Sequence, residues 1–266
     1  MFTMQIIKAL VATAAALLSV LIPHLGVEPT LAASTTAPAS FWSYQDMSGP
    51  DHWAELDPSF ATCSSGQAQS PINLTAAAAV DLINPEFHYE SVPLNLLNNG
   101  HTVQVPYAPG SYILLEGQQY NLLQFHFHSP SEHAIDGKPW DAELHLVHQS
   151  EAGELAVVAV LLQGEDAEGN SSYADLSANL PKKLGDKVRT GNMIAARSLL
   201  PKTTTTYRYK GSLTTPPCSE LVTWLVMTEP VSLSIQQLAS YKQILNNNNR
   251  PLQLLNNRPV QIDSSP

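Results

Sequence analysis

Residues Gln124–His133 read QFHFHSPSEH, and Ala142–His148 read AELHLVH. In an extended strand, side chains two apart project from the same face. Gln124, His126 and His128 therefore form one row, while Phe125 and Phe127 face the other way. By the same rule Glu143, His145 and Val147 share a face of the second segment. An adjacent antiparallel strand brings His145 opposite the first pair. The two segments thus predict a sheet with one apolar face and one face lined by imidazole.

Outward from this pair, most of the chain reads as strands. Val103–Tyr107, Ser111–Glu116, Tyr120–His128, Glu143–His148, Leu155–Leu162 and Leu221–Met227 are rich in β-branched or aromatic residues with turn residues between them. Gly117, Gly137, Gly153 and Gly164 punctuate the series at spacings typical of antiparallel connections. Helices are expected to be few and short. The best begins at Ser234, where SIQQ offers a capping box to Gln237, and runs through Leu238, Tyr241 and Leu245. Short runs at Ala76–Ala79, Thr203–Thr206 and Asn246–Asn249 read as loops or element ends. The fold class is mainly β (α+β): one domain around a large, twisted, mostly antiparallel sheet of about ten strands, with short peripheral helices.

The 266 residues are 44% hydrophobic and 14% charged, with a formal net charge of −10. Such a chain can bury one sizeable core. It carries no basic footprint for nucleic acid and no cluster that seeks anionic membranes. Met1–Lys8 reads MFTMQIIK and is followed by ALVATAAALLSVLI, an apolar run too short for a comfortable membrane span. Residues 1–33 are expected to be a secretory signal peptide, with small residues suited to cleavage at Ala32, Ala33 and Ala39; an uncleaved anchor is the alternative. Residues 34–40 form a small polar spacer, 41–261 the folded domain and 262–266 a tail. The protein is expected to be exported to a periplasm, a lumen or the medium, without stable membrane insertion once the signal is removed. Its oligomeric state stays open, a dimer included. The two cysteines, Cys63 and Cys218, suggest one disulfide in an exported chain, closing a loop of about 155 residues and contributing roughly 3–5 kcal/mol. Two buried thiols are the alternative.

Three neutral imidazoles with one open position suit a catalytic zinc ion, whereas a structural site would close with a fourth protein ligand. Gln124 and Glu143 lie where each can accept a hydrogen bond from a ligand's other ring N–H, fixing its tautomer. The competing reading is a partly exposed strand face that merely tolerates histidine.

The chain resembles the α-class carbonic anhydrases, particularly the bacterial secreted type, from about Trp42 to Arg258. The likeness rests on seven motifs in family order: W-S-Y at Trp42–Tyr44, GPDHW at Gly49–Trp53, QSPINL at Gln69–Leu74, LNNGH at Leu97–His101, the two histidine segments, and GSLTTPPCSELVTW at Gly211–Trp224. The resemblance implies reversible hydration of carbon dioxide to bicarbonate and a proton by zinc-bound hydroxide. It makes His126, His128 and His145 the Zn2+ ligands. Thr214 matches a gatekeeper whose hydroxyl orients the nucleophile by donating its own proton to Glu132, a carboxylate that can only accept. Val147, Val157, Leu213, Thr215, Val222 and Trp224 match the substrate pocket. His101 matches the proton shuttle, and Tyr44, Asn99 and Gln104 match polar residues along the proton path, with Gln104 standing where many members carry Asn. A shuttle is needed because direct release from a water of pKa about 7, the family's value, is limited to about 10³ per second. Ser70-Pro71 and Pro216-Pro217 resemble cis positions. Cys63 with Cys218 resembles the bacterial disulfide bracing the Thr214 loop. Arg250 and Arg258 resemble anchors of the C-terminal segment, and His133 and His148 resemble buried, non-ligand histidines.

Two other functions compete. A catalytically silent, zinc-binding scaffold would be expected to have lost a ligand histidine, and all three are present. A cupin would use Glu132 as a fourth metal ligand, but no P-x-G precedes His145 at the needed distance.

Overall fold

Alternating apolar and polar residues build the main sheet, as in Ser91–Asn98, where every second side chain is buried along its first six positions. The computed structural model describes residues 41–264. The expected signal peptide and spacer lie outside these residues, as does the end of the tail. Among the described residues no helix is long and apolar enough to cross a membrane.

Ten strands form one path through the main sheet: Lys187–Ala195, Ser91–Asn98, Val103–Pro106, Gln118–His128, Ala142–Gln149, Leu155–Glu165, Glu220–Met227, Thr206–Ser212, Gln261–Asp263 and Ala78–Val80. Three more lie off it, Val231–Ser234, Tyr112–Leu115 and Glu86–His88, and a small second sheet holds three short strands. Pairing is mostly antiparallel. Leu155–Glu165 instead runs parallel to Glu220–Met227 and to Val231–Ser234, and the Gln261–Asp263 and Ala78–Val80 pair is also parallel. The final strand crosses the position at which the tail was expected to begin.

Two histidine strands lie at the centre, Gln118–His128 and Ala142–Gln149. Their antiparallel register sets His145 opposite His126, Glu143 opposite His128, and Val147 opposite Gln124. A slip of one residue would carry His145 into the core, so the packing of the other face enforces the site. That face is led by Phe125 and Phe127, both fully buried, each stabilising the fold by roughly 1.5–3 kcal/mol. They join a large core with Leu144, Leu146, Tyr173 and Tyr241. A smaller core on the imidazole side contains Ile72, Val157, Tyr209, Val222 and Trp224.

The Ile235–Leu245 helix starts as the sequence predicts: Ser234 Oγ accepts from Gln237 N, and the Gln237 side chain accepts from Ser234 N. A second helix, Ser171–Ala178, is capped by Asn170, whose side chain accepts from Ser172 N. Gly117, Gly137 and Gly153 adopt positive φ. Gly164 does not end an element; it lies inside Leu155–Glu165. A Cβ at that position would come within 2.9 Å of Leu238 on the helix, so glycine there permits close packing.

Candidate metal centre

The three expected ligand imidazoles converge. One nitrogen from each of His126, His128 and His145 lies within 4.8 Å of the others. The opposite nitrogen of each ring is already engaged. His126 Nδ1 donates to Gln124 Oε1 at 2.9 Å, His128 Nδ1 to the Asn248 carbonyl at 2.7 Å, and His145 Nε2 to Glu143 Oε1 at 2.8 Å. These acceptors fix the tautomers, leaving lone pairs on His126 Nε2, His128 Nε2 and His145 Nδ1. Two of the three acceptors, Gln124 and Glu143, are those the alternation in the sequence picks out. The third is a backbone carbonyl from a distant loop and has no side-chain signature.

Burial opposes charge on all three rings. It holds His126 well below the ordinary histidine range, with help from His128 and His145, takes His128 down to about 4, and lowers His145. Neutral imidazoles are the form that binds a metal. His128 Nε2 is moreover buried without a hydrogen-bond partner, which a cation at this point would satisfy. Residues and tautomers therefore fit zinc.

Glu143 anchors the arrangement from below. Its Oε1 accepts from His145 Nε2 and, at 2.7 Å, from His133 Nδ1; its Oε2 accepts from the backbone N–H groups of Glu132 and His133, both at 2.8 Å. Burial alone would raise this carboxyl, but the two imidazoles outweigh it and hold Glu143 well below the usual range. His133 continues outward: its Nε2 accepts from Tyr209 OH at 2.6 Å, and the Tyr209 oxygen meets Ser70 Oγ at 2.8 Å. Ser70 Oγ in turn accepts from Ser212 N at 3.0 Å, two residues before Thr214. His133, Glu143 and His145 also form a compact group of metal-type ligands, but their hydrogen bonds already join them to one another.

Glu132 is buried beside the metal-facing nitrogens without joining their group. Oε2 lies 3.6 Å from His128 Nε2 and 3.9 Å from His145 Nδ1, while Oε1 accepts from Arg250 N at 2.8 Å. Burial raises its carboxyl to about 7 against the lowering influence of His145, the Arg250 N–H and the Thr214 hydroxyl. Thr214 is thus adjacent, although Oε2 lacks a hydrogen bond of ordinary length and angle. The Thr214 loop is closed by the Leu213 N to Ser219 O bond, the Cys218 N to Thr215 O bond and the Cys63–Cys218 disulfide. Ser70-Pro71 and Pro216-Pro217 are cis, and so is Ser129-Pro130. Arg250 also binds Gln69 Oε1 and the carbonyls of Ser70 and Cys63, whereas Arg258 binds the carbonyls of Gln69 and Lys210.

A pocket of about 130 Å³ opens onto His126 and His128 and is lined by Tyr44, Asn99, His101, Gln104 and Thr215. Asn99 Oδ1 accepts from the backbone N–H groups of His101 and Thr102, and its Nδ2 donates to Gln104 Oε1 at 3.3 Å. The His101 ring stacks on Trp42, centroids 3.6 Å apart and planes within 4°. That partner is part of the quoted W-S-Y motif but carries no expected role. Burial lowers the His101 pKa. The expected apolar pocket residues divide: Val157, Val222 and Trp224 are almost wholly buried, while Val147 and Leu213 keep some surface against them. The Trp224 ring lies 4.9 Å from that of His145.

Comparisons with known proteins converge on one family. The family model described as eukaryotic-type carbonic anhydrase matches residues 48–264. A carbonic anhydrase of Nostoc sp. is 44% identical over 225 residues, covering 82% of this chain and 84% of the relative. One of Klebsiella pneumoniae is 40% identical and covers 89% and 98%. Among solved structures, the α-carbonic anhydrase of Thermovibrio ammonificans, in complex with the inhibitor sulfanilamide, superposes with a TM-score of 0.81 at 37% identity, covering 84% of this chain and 100% of that one.

Proposed function

Because the chain belongs to the α-carbonic anhydrase family, we propose that it catalyses reversible hydration of carbon dioxide to bicarbonate and a proton at the three-histidine cup. The observation that carries this reading is the convergence of three neutral imidazole lone pairs whose opposite nitrogens are all bound. A zinc ion bound there would be held by His126, His128 and His145 and would supply the Lewis-acid charge that makes water nucleophilic near neutral pH, a property for which carbonic anhydrases are themselves the reference case.

The remaining steps belong to the chain. With Glu132 Oε1 taken by the Arg250 N–H, Oε2 is left to accept the Thr214 hydroxyl proton. Thr214 Oγ1 then accepts from the attacking water and aims its lone pair at carbon dioxide. Val147 and Leu213, backed by Val157, Val222 and Trp224, give the apolar substrate a surface without competing hydrogen bonds. The released proton travels along the pocket held by Tyr44, Asn99 and Gln104 to His101. Burial lowers its pKa and so favours the neutral imidazole, the form that accepts a proton and passes it to buffer. Residues 1–33 direct export to a compartment in which the disulfide persists.

The test combines zinc analysis with stopped-flow hydration. One zinc per chain and activity reduced to the buffer background in His145→Ala support the reading; a silent scaffold would bind zinc and show no hydration in the unaltered protein.

A further inference from the structure

We infer that Asn248 is a positioning residue whose side-chain amide couples the proton-shuttle loop to the strand carrying His126 and His128. The inference rests on the function proposed above and adds a residue to it.

The run Asn246–Asn249 follows the Ile235–Leu245 helix. Asn246 and Asn247 are exposed and adopt positive φ, the left-handed conformation that asparagine tolerates better than most residues. Together they turn the chain inward, so the third asparagine enters the interior, where only 2% of it is exposed.

Both polar atoms of its side chain are used, and so is its backbone carbonyl. Asn248 Nδ2 donates to the carbonyl of His101 at 3.0 Å and to that of Phe127 at 2.9 Å. Its Oδ1 accepts from Ser129 N at 2.9 Å, and its backbone carbonyl accepts from His128 Nδ1 at 2.7 Å. One residue therefore holds the ring of a proposed metal ligand, the backbone on both sides of that ligand, and the peptide of the proposed shuttle. Thr102 adds a second tie, since its Oγ1 also donates to the Phe127 carbonyl. On its other side, the His101 peptide is held by Asn99 Oδ1. A movement of the His128 ring must pull on residue 248, and through its amide on His101. No other side chain does the same: serine lacks the reach, glutamine is one methylene too long, and aspartate faces two carbonyls with an acceptor.

The coupling is readable without turnover. Full-length metal-free protein, isotopically labelled, is titrated with zinc while the His101 carbonyl and Thr102 amide resonances are followed, with the Gln124 side-chain amide as internal reference. In the unaltered protein all three respond to one equivalent of zinc. In Asn248→Ser the His101 and Thr102 responses shrink to what the Thr102 tie alone carries while that of Gln124 persists, and zinc affinity falls about tenfold, in line with removal of outer supports of metal ligands. Asn247→Gly, at an exposed left-handed position, changes neither. In dilute buffer kcat falls in Asn248→Ser by a larger factor than kcat/KM, because proton export limits the former. If Asn248→Ser does not fold, Asn248→Asp is read in the same way, since it keeps the acceptor for Ser129 and loses the donors. Undiminished His101 and Thr102 responses with zinc affinity within about twofold of the unaltered protein would overturn the inference. Absence of hydration by the unaltered protein would instead count against the proposed function.

Discussion

The histidines of the cup and the histidine at the rim are held in opposite ways. His126, His128 and His145 stand on adjacent central strands, and each ring is clamped at one nitrogen by an acceptor. His101 follows a tight turn at Gly100, and among the described residues its ring makes no hydrogen bond; it lies flat against Trp42. A ligand has to be oriented before the metal arrives, so a fixed tautomer is an advantage. The shuttle role proposed for His101 requires a ring that exchanges partners between pocket and solvent, so a stacking surface that fixes neither nitrogen suits it better.

That contrast can be broken from either side. The largest effect is expected at the cup. Glu143→Gln replaces the acceptor of four hydrogen bonds by an amide that cannot accept them all, and zinc affinity measured by chelator competition should fall roughly 10–100-fold. An unchanged affinity would mean that the clamps do not matter. At the rim, His101→Ala should lower kcat in dilute buffer by about 10–100-fold while leaving kcat/KM nearly constant. Imidazole buffer should restore it; absence of rescue removes His101 from the proton path.

Acid probes the buried histidines by another route. In metal-free protein, burial holds His128 down to about 4 and His148 down to about 3. The unfolded chain takes up these protons near the ordinary value of about 6.5. Stability is therefore complete above that pH and is lost as pH falls toward the folded values, by on the order of a few kcal/mol per histidine. Denaturant unfolding at successive pH values from about 7 down to about 4 checks this, and a flat profile contradicts it. The smallest effect belongs to Trp42→Ala. Exposing the ring should raise the His101 pKa toward its ordinary value, and an NMR titration that finds it unmoved would show that the stack does not control burial there.

Much of this site is legible in the sequence because it obeys the two-residue period of a strand. Gln124, His126, His128, Glu143 and His145 fall on the expected faces, and the apolar residues between them enforce the register. The family motifs add Thr214, Glu132 and His101, which no periodicity connects. The Asn248 carbonyl and the Arg250 N–H escape because backbone groups carry no residue signature. Of the strands, Ser91–Asn98 is hidden by Pro93, and Lys187–Ala195, at one end of the path, by its charged and exposed residues. Thr206–Ser212 reads as polar, yet Arg208 and Tyr209 are buried there by pairing and by hydrogen bonds. Gly164 misleads because close packing against a helix and a turn both favour glycine, and only tertiary contact distinguishes them.

The central claim, that the three imidazoles hold the one zinc ion on which hydration depends, is tested most directly by removing and restoring the metal. Stopped-flow hydration of carbon dioxide should fall to background in chelated protein and return in proportion to added zinc, saturating at one equivalent per chain. Full activity in protein shown to be free of metal would contradict the account.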